Sequence, residues 1–306
     1  MTLIVPLSFL VGALAGAFAA WRLRGRAHPD APPRRRPRLK LAAATVLATV
    51  LCLSVVGFVW IRRQFQGGPA APASMSQAVK DFRRAHRGAR AQATPSDLPR
   101  PGVYTYRGQG FFRMTSDLFG NREMKLPATI PAIVVLDGRC FELTVRQYET
   151  RQWTERFCRD PQAGLRMQWR KNRSEMNGVK SRSKSECTPN TLYGPTGKPG
   201  ATWAVVCKVV SHETTSSFKF PRPDLKVSMT HVGTREITIG GQKVRAHYLR
   251  QISEMSGPMK GRMVREVWYA VDTGLMLRMR VKGQGAGLAT VKVDQTYTLA
   301  SLSPKR

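Results

Sequence analysis

Apolar positions fall into three patterns along the chain. Residues 1–21, MTLIVPLSFLVGALAGAFAAW, and 41–61, LAAATVLATVLCLSVVGFVWI, are unbroken apolar runs without a charged side chain. At 1.5 Å per residue, a helix of that length spans roughly 30 Å, the thickness of a bilayer's hydrocarbon core, so each run is expected to cross a membrane. Trp21 and Trp60 stand at the run ends, where an indole suits the membrane interface.

Between Gln66 and Pro101 the periodic pattern breaks into Gly and Pro clusters, and residues 62–101 are expected to form a linker. Within it Met75, Val79 and Phe82 recur at spacings of four and three. They share one face of a short helix that Ser74 or Ser76 can cap. That helix docks on the next domain, lies on a membrane or fluctuates in the linker; its pattern alone does not choose.

Beyond Pro101 the period falls to two. In GLMLRMRVK, Leu275, Leu277, Met279 and Val281 alternate with Met276, Arg278, Arg280 and Lys282. In VKVDQTYTL, Val291, Val293, Tyr297 and Leu299 alternate with Lys292, Asp294, Thr296 and Thr298. The two runs are expected to form a hairpin around GQGAG. Similar strands fit 103–114, 129–137, 140–146, 152–158, 164–170, 202–211, 236–239, 244–252 and 263–271. No convincing helix of 12 or more residues interrupts them. Residues 102–306 are therefore expected to be an antiparallel, β-dominated domain, a meandering sheet curled into a barrel or half-barrel, preceded by a transmembrane α-hairpin.

Charge sets the orientation. The loop 22–40 carries Arg22, Arg24, Arg26, Arg34, Arg35, Arg36, Arg38 and Lys40 against Asp30 alone. Short basic loops stay on the cytoplasmic side, which places both outer ends, and the whole β domain, outside a bacterial plasma membrane. A cleavable signal peptide is the rival reading of residues 1–21; it lacks a basic start, and whether the segment is retained is left open. The chain as a whole has 50 Lys and Arg against 19 Asp and Glu, a formal charge of +31. That excess attracts anionic lipid headgroups or envelope polymers; nucleic acid is disfavoured as a partner, because a loop tethered at both ends cannot follow a groove.

Of five cysteines, Cys52 lies in the second apolar run and the other four in the exported domain, a setting that permits disulfides. Four cysteines allow three connectivities. One has internal support: with Cys140 opposite Cys158, Phe141 meets Phe157, Glu142 meets Arg156, Thr144 meets Thr154 and Val145 meets Trp153, and Leu143 opposite Glu155 is the exception. Cys187 and Cys207 then remain for each other. No Cys-x-x-Cys occurs and no His stands at ligand spacing from a Cys, so neither metal nor cofactor is expected.

Candidate chemistry is thin. His28 and His86 fall in the loop and the linker, while His212, His231 and His247 sit in or near strands without a metalloprotease or paired-His spacing. There is no Gly-x-Ser-x-Gly elbow or Walker loop, and Asp272 in VDTG suits a tight turn between Tyr269 and Leu275. A binding module is expected rather than an enzyme. A curled sheet with one apolar face can hold a lipid or another hydrophobic ligand; the same side chains can equally fill a solid core. The runner-up is an interaction or scaffolding domain that engages anionic envelope polymers.

RPGVYTYRGQG, LPATI, PGATWAVVCKV and REVWYAVDTGLMLRMRV together resemble a group of uncharacterised, mostly actinobacterial membrane-anchored proteins, over about residues 75–303. The last motif is also similar to the tail of LolA/LppX-type lipoprotein carriers, where a W-x-x-x-x-T-G-L turn, here Trp268 to Leu275, joins two strands. That resemblance implies an open, lipid-accommodating half-barrel outside the membrane. Two apolar N-terminal runs and the high basic charge depart from the pattern.

Overall fold

The computed structural model describes residues 54, 70–85, 95–116, 120–160, 162, 164–176, 179–193, 198–215, 224–287 and 289–306. The chain divides into two units, Met1–Gly67 and Gly68–Arg306. Apart from Ser54, the two expected spans and the basic loop with its eight Lys and Arg residues lie outside the described residues. Among those described, no helix is long and apolar enough to cross a membrane.

The second unit opens with helix α1 (Met75–Ala85). The Gln77 backbone N–H donates to Ser74 Oγ at 3.3 Å, which makes Ser74 its cap. Ala78 and Phe82 bury against Val103 and Ile133, and Arg146 Nη1 meets Asp81 Oδ2 at 2.6 Å. The amphipathic stripe thus docks the helix on the outside of the sheet. Among the described residues fourteen strands follow: β1 (Gly102–Ser116), β2 (Gly120–Lys125), β3 (Thr129–Asp137), β4 (Cys140–Tyr148), β5 (Arg151–Asp160), β6 (Gly164–Met176) and β7 (Val179–Thr188), then β8 (Thr191–Tyr193), β9 (Thr202–Thr214), β10 (Asp224–Ile239), β11 (Gln242–Ser256), β12 (Lys260–Ala270), β13 (Met276–Ala286) and β14 (Thr290–Leu299).

The sheet does not stop at a half-barrel. β1 pairs β14 from Tyr106↔Leu299 to Thr115↔Thr290, so with β2 and β8 standing beside the ring, the other twelve strands close on themselves. Closure removes the two unpaired edges that an open sheet would expose. Its seam depends on glycine. Gly110 has φ +102°, and a Cβ there would lie 1.9 Å from the Asp294 carbonyl oxygen. At this point β1 passes its free edge from β3 to β2, with the Leu126 N–H bonded to the Gly110 carbonyl at 2.8 Å.

A round twelve-strand barrel would have a bore of roughly 24 Å, given strands about 4.8 Å apart and tilted about 40°. This one is flattened. Phe157 of β5 packs edge-on to Tyr269 of β12 at 5.6 Å, although the two strands stand six places apart in the ring of twelve. The walls there approach as two stacked sheets do, and Tyr106, Phe141, Phe157, Tyr269 and Met276 fill the space between them.

The two disulfides join Cys140 to Cys158 and Cys187 to Cys207. The first has the register read from the sequence, including Phe141↔Phe157 and Thr144↔Thr154. Other details differ. GQGAG belongs mostly to the end of β13, and the reversal comes after it. Met276, expected on the polar face, is fully buried beside Leu277, because a bulge between Trp268 and Tyr269 shifts the ladder there. The VDTG turn forms as expected: Gly274 N–H donates to the Ala270 carbonyl at 2.8 Å, with Gly274 at φ +72°.

Candidate binding interior

Residues paired across two strands point to the same side of a sheet, so the ladder registers define the inner wall. Glu155 of β5 faces inward between Trp153 and Phe157, and its partners are Leu143 on β4 and Arg170 on β6. Arg265 of β12 faces inward beside Val281 of β13, which is beside Gln295 of β14.

Along this wall, exposure changes in one direction. Tyr106, Phe141 and Phe157 are 0% exposed at the filled end. Further along the same inward-facing rows, Met255, Met263, Val281 and Val291 are only half-buried, and Val209 and Leu225 are 48% and 54% exposed. Solvent therefore reaches the inner face of one half of the barrel. That half has two kinds of wall. The thioethers and valines line the β11 to β14 side, while Ser174, Ser181, Ser183 and Ser185 line the β6 to β7 side.

A polar layer separates the two halves. Arg265 Nη2 donates to Glu155 Oε1 at 2.8 Å, and Arg170 Nε stands 3.7 Å from the same oxygen. Exposure rises from 1% at Glu155 to 11% at Arg265 and 30% at Arg170, so Arg170 is the member turned toward the accessible half. Burial alone would push the Glu155 carboxyl up, yet Arg265 and Arg170 outweigh it and hold the group below its ordinary value. Burial works against charge on Arg265 too, but Glu155 prevails and holds that guanidinium above its ordinary value. Arg170 moves the other way: burial, and then the like charge of Arg265, push it down. Two cations share one carboxylate.

Aromatic and amide groups complete the layer. The Arg170 guanidinium lies 5.9 Å from the Trp153 ring, whose other neighbour is Tyr297 at 6.0 Å. The Tyr297 hydroxyl donates to Gln295 Oε1 at 2.9 Å and accepts from Gln147 Nε2. Burial pushes the Tyr297 phenol up to about 12, so it stays protonated. Glu155 Oε2, Arg170 Nε and Gln295 Nε2 are shielded from solvent and meet no hydrogen-bond partner among the described residues.

The sequence treats the strand histidines as isolated, but the structure brings two together. His247 Nδ1 lies 3.3 Å from His231 Nε2, where β10 bulges between His231 and Gly233. Burial, then His231, Arg159 and Arg245, lower the His247 pKa to about 4. Among the described residues no three His, Cys, Asp or Glu side chains gather as a metal site. His212 stands apart, near Ser181 Oγ at 3.3 Å. The four disulfide cysteines lie in the barrel wall, on β4, β5, β7 and β9.

The wall is narrowest in hydrogen bonds between β9 and β10, where pairing extends only from Val227↔Val205 to Thr230↔Thr202. Outside, Arg278, Arg280 and Lys282 form an exposed basic row, and Arg278 covers the face of Trp268, which stacks on Tyr248. Such an exterior is unsuited to hydrocarbon, where midplane Arg and Lys cost about 2–4 kcal/mol each. A surface hollow of about 270 Å³ at Arg100, Ser303, Pro304 and Arg306 lies at the chain end, away from this interior.

No family model matches the chain, and no curated protein matches it. Solved structures similar in part include the two that follow. The hypothetical lipoprotein YmcC of Escherichia coli is 14% identical, with a TM-score of 0.32 over 76% of this chain and 100% of that one. A putative lipoprotein of Parabacteroides distasonis is 10% identical, with a TM-score of 0.30 over 69% of this chain and 99% of that one. Likeness at that level carries nothing further about this protein.

Proposed function

We propose that the chain is a membrane-anchored binding module of the bacterial envelope, whose barrel takes up the hydrocarbon part of a lipid or another hydrophobic ligand and catalyses nothing. One observation carries the reading: inward-facing Met255, Met263, Val281 and Val291 are half-buried, whereas the same rows are sealed at the other end of the barrel. An apolar wall left in water gains about 25 cal/mol for each Å² that a ligand covers. Methionine adapts such a wall to different ligand shapes. Exposure of this domain on the outer side of the plasma membrane rests on the two apolar runs and the basic loop between them.

Filling the lumen tests the reading. Ser183→Trp and Ser253→Trp, both on inward rows, are combined in the full chain held in nanodiscs, and acyl lipid bound in excess of the disc lipid is weighed by native mass spectrometry. The parent is expected to carry such lipid and the double variant to lose it. Equal lipid on both, or none on either, argues against the proposal.

A second reading has its own observation, the outer row Arg278, Arg280 and Lys282 on a chain whose residues 69–306 hold 40 basic against 18 acidic side chains. It makes the exterior a surface for anionic envelope polymers. Binding of that kind weakens steeply between low and physiological salt, and salt-insensitive binding would exclude it.

A further inference from the structure

The polar layer inside the barrel is one positive charge out of balance. Arg265 and Arg170 share the single carboxylate of Glu155, and the better contact, at 2.8 Å, goes to Arg265. Arg170, at 3.7 Å, is left with weaker compensation, with 30% of its side chain exposed toward the accessible half and its Nε without a hydrogen-bond partner. An uncompensated cation within a barrel is costly unless an anion joins it. Gln295 is 5% exposed and presents an amide Nε2 that also lacks a partner. Its carbonyl is committed to Tyr297, so that amide is available only as a donor. Two free donors, Arg170 Nε and Gln295 Nε2, thus stand against one free acceptor, Glu155 Oε2, and beyond the layer Met255, Met263 and Val291 make the β11 to β14 side of the wall largely apolar.

We infer that this layer is a head-group site, in which Arg170 and Gln295 hold the anionic head of a single-chain amphiphile, a carboxylate or a phosphate monoester, while its hydrocarbon lies along the accessible half of the barrel. This rests on the function proposed above and adds to it the charge and orientation of the ligand. Glu155 has a stated part. By occupying Arg265 it leaves Arg170 as the cation that meets the ligand, and it repels a head group that tries to go deeper. A neutral lipid gains the hydrocarbon contacts but leaves Arg170 and Gln295 unsatisfied.

The test uses the full chain in nanodiscs of zwitterionic lipid, with signal from empty discs subtracted. The probes are cis-parinarate, which fluoresces in apolar surroundings, and its methyl ester; dodecyl phosphate and dodecanoate compete separately to distinguish the two anions. One charge-assisted contact predicts that the acid binds about ten- to a hundredfold more tightly than the ester. Arg170→Gln should abolish the preference without loosening the ester, and Arg170→Lys should keep part of it. The Glu155–Arg265 pair stays whole in both variants, so the fold is retained. Equal affinity for acid and ester, unchanged in Arg170→Gln, overturns the head-group site and leaves hydrophobic binding standing. If neither probe binds, the proposed function fails and the inference with it.

Discussion

Glu155 and Arg265 meet at 2.8 Å from strands six places apart in a ring of twelve, so their ion pair spans the barrel from wall to wall. Beside it Phe157 and Tyr269 make a second contact across the same pair of strands. Together these contacts mark where the barrel changes from a filled core to an accessible interior.

Removing the anion from that strut leaves two guanidinium groups inside the barrel. Glu155→Gln is expected to cost about 3–5 kcal/mol, the penalty for stranding a buried partner. Glu155→Leu combined with Arg265→Met recovers only part of the loss, because the apolar pair has no desolvation cost but Arg170 still loses its carboxylate. Urea midpoints of the parent, Glu155→Gln and the double variant measure this. A loss under about 1 kcal/mol for Glu155→Gln would mean that water already solvates the cluster.

Closure of the ring depends on Gly110. Its positive φ and the Asp294 carbonyl 1.9 Å from any added Cβ leave no room for a side chain. Gly110→Ala must displace β14 or rebuild the turn of β1, and is expected to lower the melting temperature markedly. Gly138→Ala controls for backbone strain without crowding, since Gly138 also has positive φ but nothing lies within 4 Å of its Cβ position. Equal losses for the two substitutions would contradict the steric account of the seam.

Acid should weaken the fold in a defined window. His247 has a folded pKa of about 4 against an ordinary 6.5, so between those values the unfolded chain binds more protons. Its contribution to stability is complete above pH 6.5, falls as pH drops from 6.5 to 4, and changes no further below that. The carboxyls held below their ordinary range, Glu155, Glu266 and Asp81, begin to matter only under about pH 4.5. Melting temperatures between pH 7 and 5 should therefore decline in the parent and stay nearly flat in His247→Gln. A parallel decline in both would remove His247 from the account.

Orientation has its own test. Intact cells treated with a membrane-impermeant maleimide should label none of Cys140, Cys158, Cys187 or Cys207 until a reductant is added from outside, and then all four. Loss of either bridge, whose partners lie 18 and 20 residues apart, should cost about 3 kcal/mol in the chain-entropy account. Free thiols that respond only after the membrane is opened would place the barrel on the cytoplasmic side.

Much of the wall was legible because alternation is strong where one face is dry. Leu299, Tyr297, Val293 and Val291 alternate with Thr298, Thr296, Asp294 and Lys292, and β14 is placed as expected. The hairpin of Cys140 and Cys158 was legible from side-chain matches across it. The β7 stretch Lys180, Ser181, Arg182, Ser183, Lys184, Ser185 was not legible, because its inward face is itself polar and no apolar period marks it. Closure was hidden for a different reason, since pairing between the first and last strands leaves no local trace. Nothing local in RGQG marks Gly108 or Gly110 as standing at its seam. The Glu155 layer was obscured in the same way: opposite Leu143 the carboxylate looks like a mismatch, and only the distant Arg265 explains it.

Photo-crosslinking tests the claim of an accessible, chain-binding half-interior most directly. A diazirine-bearing fatty acid is equilibrated with membranes that contain the full chain, then irradiated, and the adducts are mapped by peptide. The account predicts adducts on the inward residues Met255, Met263 and Val281, beyond those on the apolar runs 1–21 and 41–61. Adducts confined to the two runs, or spread over outward residues such as Ile252 and Val264, would contradict it.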